Sequence, residues 1–384
     1  MNVKLRTFRS LIVTFAFLLL VAQISISGQA EPFFEEGTIV QPGKKGQRHA
    51  YPVASRTANG NIITIWSLRP GNHAKNKLVG AVSKDDGKTW SAPFEVLDIP
   101  ERDDGDPALI IDGDRILVYS TTVTPPNKIT KADIFMVESR DEGESWTKPI
   151  EIKTPYNYFI GKRHVGIKLR NGDLLLPSAY DIWAQEGWVP ARTEGEMDMK
   201  AGIMLSKDGV NWTPHIDIHV LAQKISPFAT NGATEPAVVE LQSGELYMLV
   251  RTGTGFFYES RSKDGGKTWS KAIPSPLVGH NTPASLWRLD QDPKEIIAIW
   301  NNSPRFRNPL SVAISADGGH TWSKPKNVAN AGPLKNHSDL QNSYPGITQD
   351  KEGNFVAVWQ SELPNGEGRE IRWARFNRAW VLSK

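Results

Sequence analysis

With 384 residues, 39% of them hydrophobic and 23% charged, the chain has apolar material for one large domain or for two to three ordinary ones, which excludes whole-chain disorder and a polytopic membrane protein. It contains no cysteine, so disulfides, thiolate metal sites and thiol nucleophiles are excluded as well. The formal charge of +3 comes from Lys4, Arg6 and Arg9; without those three of the 45 basic residues, 42 face 42 acidic ones, so nothing in the bulk charge attracts nucleic acid and any anion must be met by a local cluster.

Residues 1–30 have the three-part build of an export signal: a basic start, an apolar run at 11–22, then small and polar residues ending in Gly28, Gln29 and Ala30. An apolar run of about 12 residues is short for a bilayer span. The reading is therefore a cleaved signal and a mature domain at 31–384, secreted or periplasmic, with no membrane span after cleavage; an uncleaved anchor is the alternative. From there, short runs, often with a proline, precede β-rich stretches at Tyr51-Pro52, Asp106-Pro107, His164-Val165, Glu235-Pro236, Thr282-Pro283 and Tyr344-Pro345. Many continue through a polar turn into a second apolar strand, as in ANGNIITIW, RNGDLLLP and QSGELYMLV. The stretch between Ala179 and Ala201, with Trp183, Trp188 and Met197, reads as a loop over one face. No segment after the signal has a convincing helical period, so the expectation is nearly all β.

One short pattern recurs after these stretches: SKDDGKTW at 83–90, SRDEGESW at 139–146, SKDGVNW at 206–212, SKDGGKTW at 262–269 and SADGGHTW at 315–322. It has the chemistry of a tight hairpin turn. The aspartate accepts hydrogen bonds from turn amides, the glycine supplies a positive φ, and the tryptophan packs back on the sheet. The third copy is one residue shorter and should turn more tightly. Together the five copies resemble the Asp-box of the sialidase and BNR-repeat families, where the box is peripheral and structural. The resemblance and the six strand starts imply an all-β, six-bladed β-propeller, at about 55 to 60 residues per four-stranded blade. The last blade, from Tyr344 to the IRWARF segment, lacks a box and is expected to be completed by a strand near Gly37 to Val40.

In such a radial array the residues entering the innermost strands converge on a central mouth. Those positions hold Arg48, His49 and Tyr51; Asp103, Asp104 and Asp106; Lys162, Arg163 and His164; Glu235; Asn281; and His337, Asp339 and Tyr344. Ends of the following strands add Trp66, Arg69, Tyr180, Asp181, Arg251, Arg305, Arg307 and Gln360. Three segments resemble sialidases beyond the repeat. TEPAVVELQSGELYMLVRT at 234–252 implies Glu235 as partner of a nucleophile and Arg251 as a carboxylate-binding arginine. NNSPRFRNPLSVAISADGGHTW at 301–322 implies a second such arginine at Arg307, and NSYPGI at 342–347 implies Tyr344 as the nucleophile. The chain departs from the family in its first blade: HAYP puts Ala50 where an arginine is expected, and 66–82 contains no Asp or Glu for the usual general acid. By position, Arg48, Arg69 and Arg163 are the candidates to replace the arginine, and His49, Asp104 and Asp106 the candidates to replace the acid.

The residue types suit an acidic sugar. A sialic acid bears a carboxylate on its anomeric carbon, which repels an anionic nucleophile but not a neutral tyrosine that a neighbouring glutamate deprotonates. Arginine forks pair with the sugar carboxylate through parallel hydrogen bonds. The resemblance thus implies a cofactor-free exo-glycosidase acting on a glycan. The alternatives are another propeller enzyme, a uronate-directed lyase or hydrolase built on His49, His164 and Tyr344, and a noncatalytic glycan-binding propeller. Asp103, Asp104 and Asp106 form the only carboxylate group with any potential for calcium, and no metal is expected. The sequence does not specify the oligomeric state.

Overall fold

The computed structural model describes residues 30–71, 75–123, 132–154, 159–160, 165–182, 198–220, 231–331 and 341–384. Among these the strands follow one another in antiparallel meanders. The first comprises Gln47–Arg56, Ile62–Arg69, Lys77–Ser83 and Phe94–Leu97, and the second Asp103–Asp112, Arg115–Val123, Ala132–Ser139 and Ile150–Ile152. In the third, Phe159–Ile160 and Ile167–Lys168 both pair with Leu174–Asp181, followed by Asp198–Ser206 and Ile216–Asp217. Asn231–Glu240, Leu246–Thr252, Phe256–Ser262 and Ile273–Val278 form the fourth, and Ala284–Arg288, Ile296–Asn301, Leu310–Ser315 and Lys326–Ala329 the fifth. The sixth contains Asn342–Gln349, Phe355–Glu362 and Gly368–Phe376, and its outer strand is Phe34–Val40, which brings the two ends of the described chain into one sheet, as the sequence led one to expect. Two short parallel contacts, Gln47 and Arg48 with Gly368 and Arg369, and Asp198 and Met199 with Asn231 and Gly232, join neighbouring meanders, so hydrogen bonding groups the strands into four sheets.

The core lies between the meanders. Val53, Ile63 and Ile65 of the first share a buried cluster with Leu109, Val118 and Val137 of the second. Equivalent clusters link second to third, third to fourth, fourth to fifth and fifth to sixth. Trp66, Val79 and Ala81 of the first then pack with Ile371 of the sixth, which closes the cycle. A continuous strand set that buries both faces in this circular way is a β-propeller. Residues 31–384 form one compact unit. The insert at 183–197 and the apolar run of the signal lie outside the described residues.

Each box forms the turn its chemistry requires. Asp264 Oδ1 accepts from the Thr268 amide (2.9 Å) and the Ser262 hydroxyl (2.8 Å), and Oδ2 accepts from the Thr268 hydroxyl (2.6 Å). The Gly266 amide donates to Ser262 Oγ at 2.9 Å. In the shortened copy the same bond spans three residues instead of four, from Gly209 to Ser206. The five box aspartates therefore face their own turns.

A short helix that the sequence did not announce, Arg378–Leu382, follows the last strand, capped by the Asn377 side chain on the Trp380 amide. Its five residues are too few to carry a readable period. It docks on the fifth meander through Arg378, which grips Glu295 by two bonds of 2.6 Å, and through buried Val381.

Candidate functional site

Four of the innermost strands break register at the same point. The pairing of the first skips between Ala50 and Val53, of the second between Gly105 and Ala108, of the fourth between Thr234 and Ala237, and of the sixth between Ser343 and Gly346. The two residues left out are Tyr51-Pro52, Asp106-Pro107, Glu235-Pro236 and Tyr344-Pro345. Proline cannot donate to a ladder, so each pair forms a bulge. The residue before each proline takes a positive φ: 61° at Tyr51, 47° at Asp106, 49° at Glu235 and 55° at Tyr344, with Asn281 at 48° just before the first strand of the fifth meander. Such angles cost a non-glycine residue about 1–2 kcal/mol. The repeat thus pays for one redirected side chain per meander at five of its six strand starts; the sixth start, at His164, lies outside the described residues.

Three of these side chains meet around Arg251, which closes the strand after Glu235. Arg251 and Glu235 are 1% and 0% exposed, and burying either charge without a partner would be costly. Arg251 Nη1 donates to Glu235 Oε2 at 2.7 Å and to the Tyr344 hydroxyl at 3.4 Å. Its other edge, Nε and Nη2, donates to Asn281 Oδ1 at 2.9 and 2.6 Å. Arg307 is held by the Asn281 carbonyl, at 2.8 Å from Nη2, and its guanidinium carbon lies 5.0 Å from the centre of the Tyr344 ring. The edge of the Tyr344–Tyr51 pair is T-shaped, with centroids 4.7 Å apart, and Arg69 lies over the Tyr51 ring at 4.8 Å. A row of Arg69, Tyr51, Tyr344 and Arg307 results. Guanidinium groups against aromatic faces favour charge on the ring side, and so would stabilise a phenolate.

Sequence reasoning named Tyr344, Glu235, Arg251, Arg307 and Arg69, and all five meet here. Arg305, two residues from Arg307, points to solvent instead. Arg48 is exposed at the start of its strand, across the ladder from Arg69. Arg163 falls outside the described residues. The reading missed Arg369: it is ion-paired with Glu362, and although burial opposes its charge, Glu362, Tyr51 and Tyr344 together hold its pKa above the ordinary arginine value. In the sequence it follows the polar run PNGEG and looks like a loop charge; only its register opposite Arg48 brings it to the tyrosines.

The candidate acids separate by environment. Asp106 shares the bulge geometry of Glu235 and Tyr344, is half-buried, and its amide donates to Ser67 Oγ at 3.1 Å. His49 is buried in the wall; its Nδ1 accepts from Trp66 Nε1 at 2.8 Å, and burial pushes its pKa down to about 4, against a backbone hydrogen bond with Gln41. Asp104 is fully buried, with Ile99 N and the Thr122 hydroxyl both donating to it at 2.7 Å, and burial pushes its pKa up to about 6. Asp103 accepts from the Asn76 amide. These neighbours of Asp106 serve the surrounding loops. Among the described residues no group of three or more His, Asp or Glu is placed to hold a metal ion.

Residues 97–357 match the family model of the BNR repeat-like domain, and the chain belongs to that family. Among its relatives, a sialidase of Bacteroides fragilis is 27% identical over 315 residues, covering 70% of this chain and 52% of that protein, so the chain spans about half of that relative. An exo-alpha-sialidase of Aspergillus fumigatus is 22% identical over 416 residues, covering 92% and 90%. Among solved structures, the Hadza microbial sialidase Hz136 superposes with a TM-score of 0.69 at 18% identity, covering 88% of this chain and 66% of that one. The chain is thus a sialidase-like BNR-repeat protein with the corresponding propeller fold.

Proposed function

We propose that this protein is an exported exo-glycosidase of the sialidase type, built on a single six-bladed propeller, that releases a terminal anionic sugar, a sialic acid or a close relative, from glycans. The observation that carries the reading is the buried meeting of Glu235, Arg251 and the Tyr344 hydroxyl, with Arg307 against the tyrosine ring. Six meanders support the blade number, and relatives named sialidases support the substrate class. Export rests on the residue pattern at 1–30. No cofactor, nucleic acid or membrane span enters the reading.

In this scheme Glu235 takes the proton of Tyr344, and the phenolate oxygen bonds to the anomeric carbon as the glycosidic C–O bond breaks. Arg251 stabilises the phenolate, and Arg251, Arg307 and Arg69 receive the substrate carboxylate, Arg69 standing in for the absent first-blade arginine; its Nε is buried without a hydrogen-bond partner among the described residues. Asp106 gives its proton to the departing oxygen and then takes one from the water that cleaves the glycosyl–tyrosine bond. His49, neutral and bound on Nδ1, supports the wall behind Tyr51.

The test is hydrolysis of an aryl sialoside. Tyr344→Phe removes only the hydroxyl, and turnover is expected to fall by about 10³-fold or more, with Tm within a few degrees of the parent. Parent protein inactive on sialyl glycosides but active on uronyl ones would replace the substrate class, and Tyr344→Phe with full activity would remove the nucleophile.

A further inference from the structure

Asn281 serves the two arginines with different parts of itself. Its side-chain oxygen accepts both N–H groups on one edge of Arg251, at 2.9 and 2.6 Å, while its main-chain carbonyl accepts Nη2 of Arg307 at 2.8 Å and Nε at 3.3 Å. It does so at a φ of 48° that a glycine would adopt freely. The segment is fixed on both sides. The Asn281 amide donates to the Thr252 carbonyl at 3.0 Å, next to Arg251. Thr282 donates to Asn301 Oδ1 at 2.7 Å, and Asn301 Nδ2 donates to the Asn342 carbonyl at 2.6 Å, two residues before Tyr344. A displacement of Asn281 would therefore move both arginines relative to the tyrosine.

The chemistry of the side chain matters as much as its place. Arg251 already shares its charge with Glu235 on the opposite edge. A carboxylate at 281 would make the same two bonds and more strongly, but it would add a negative charge between two arginines. An amide fixes their direction and leaves their charge for a ligand. We propose that Asn281 is a positioning residue that orients Arg251 and Arg307 while withholding negative charge from them, and that it thereby sets the affinity of the site for an anionic sugar. This rests on the reading that the mouth receives the sugar carboxylate.

The experiment measures binding of a 2,3-unsaturated sialic acid by calorimetry, kcat and KM on an aryl sialoside, and Tm, for the parent, Asn281→Asp and Asn281→Gly. Asn281→Asp keeps the acceptor geometry, so Tm should be equal or higher while Kd and KM rise about 10- to 100-fold with a smaller change in kcat. Asn281→Gly keeps the carbonyl for Arg307 and relaxes φ but leaves one edge of buried Arg251 without its acceptor, so Tm should fall by a few degrees while kcat/KM falls about tenfold or more, beyond what the lower Tm accounts for. Parent binding with Asn281→Asp equally tight, or with Asn281→Gly equally active, overturns the role of Asn281 alone. Losses that merely track falling Tm in both variants also overturn it, since they mark a structural residue. A parent that does not bind the probe overturns the reading of the mouth, and the role of Asn281 with it.

Discussion

The rim and the mouth of the propeller both use left-handed backbone, and the rim always includes a glycine where the mouth has none. At the rim every box has a glycine in this conformation, Gly87, Gly143, Gly209, Gly266 and Gly319, with φ between 83° and 95°, and the position before it is also left-handed in four boxes, held by Gly265 and Gly318 but also by Asp86 and Glu142. At the mouth it falls on Tyr51, Asp106, Glu235, Asn281 and Tyr344. A glycine there is nearly free of strain, so its absence at the mouth means that the side chain is wanted more than the energy it costs. The rim has a second reason for glycine. A Cβ on Gly319 would come within 2.6 Å of the Tyr247 ring, and one on Gly209 within 2.7 Å of Leu117, each in the preceding meander. Gly87 meets Val356 of the sixth in the same way. The box is thus a fastener between neighbours as well as a turn, and the helix Arg378–Leu382, docked on the fifth meander, fills that office where the box is missing.

If the mouth keeps strained residues for chemistry, the largest effect of breaking the comparison should be chemical. Asp106→Asn preserves size and leaves the backbone free to adopt the same angle, but it removes the proposed acid. Turnover of naturally linked sugars should fall about 10²- to 10⁴-fold, while a nitrophenyl glycoside, whose leaving group needs no proton, should be cleaved nearly as well as by the parent. His49→Ala should lower both substrates together, because it acts through packing. Equal losses on both substrates for Asp106→Asn would take the acid role away from it.

The rim should answer in stability instead. Gly319→Ala combines an unfavourable φ with a clash against Tyr247, and about 2–4 kcal/mol of stability should be lost, read as a lower Tm and denaturation midpoint, with kcat unchanged in the protein that remains folded. Gly172→Ala is the control, since it shares the positive φ but a Cβ there meets nothing within 4 Å. It should cost only the backbone part, about 1 kcal/mol. Equal costs for the two would deny the box its fastening contact.

How far the sequence could be read follows the same division. The box turns were legible because the bonds that close them are local: Ser, Asp and Gly lie within five residues, the tryptophan three residues further on, and the side chains bond to the turn's own amides. The strand starts were legible as X-Pro pairs, and the outer strand at Phe34–Val40 as the piece the last blade lacked. What the proline pairs do physically, which is to bulge and turn one side chain inward, was not. Asn281 shows why: its place before Thr282-Pro283 marks it as a residue of the mouth, but its tie to Arg251 and Arg307 exists only once strands 30 residues apart are side by side. Arg369 was hidden for the same reason. His49 and Asp106 looked alike as candidates, and burial separated them, a property that the order of residues does not display.

The smallest and sharpest contrast lies between two aspartates. At the rim, the Thr268 hydroxyl and amide, with Ser262, pull Asp264 down to about 2. Near the mouth, burial pushes Asp104 up to about 6. The signs of their stability effects are opposite. Asp264 binds its proton less readily folded than unfolded, so its contribution is complete above the ordinary carboxylate range and is lost as pH falls from about 4 towards 2. Asp104 binds its proton more readily folded than unfolded, so stability should decline as pH rises from about 4 to 6, by roughly 3 kcal/mol at most, and stay level above that. Asp104→Asn cannot ionise and can still accept one of the two hydrogen bonds, from Ile99 or Thr122; its Tm should lose the decline between pH 4 and 6 and exceed that of the parent at pH 7 relative to pH 4. Asp264→Asn should flatten only the acid limb below pH 4. Chemical denaturation across pH 2–8 checks both, and an Asp104→Asn curve parallel to the parent between pH 4 and 6 would mean that buried Asp104 keeps its charge through the bonds of Ile99 and Thr122 alone.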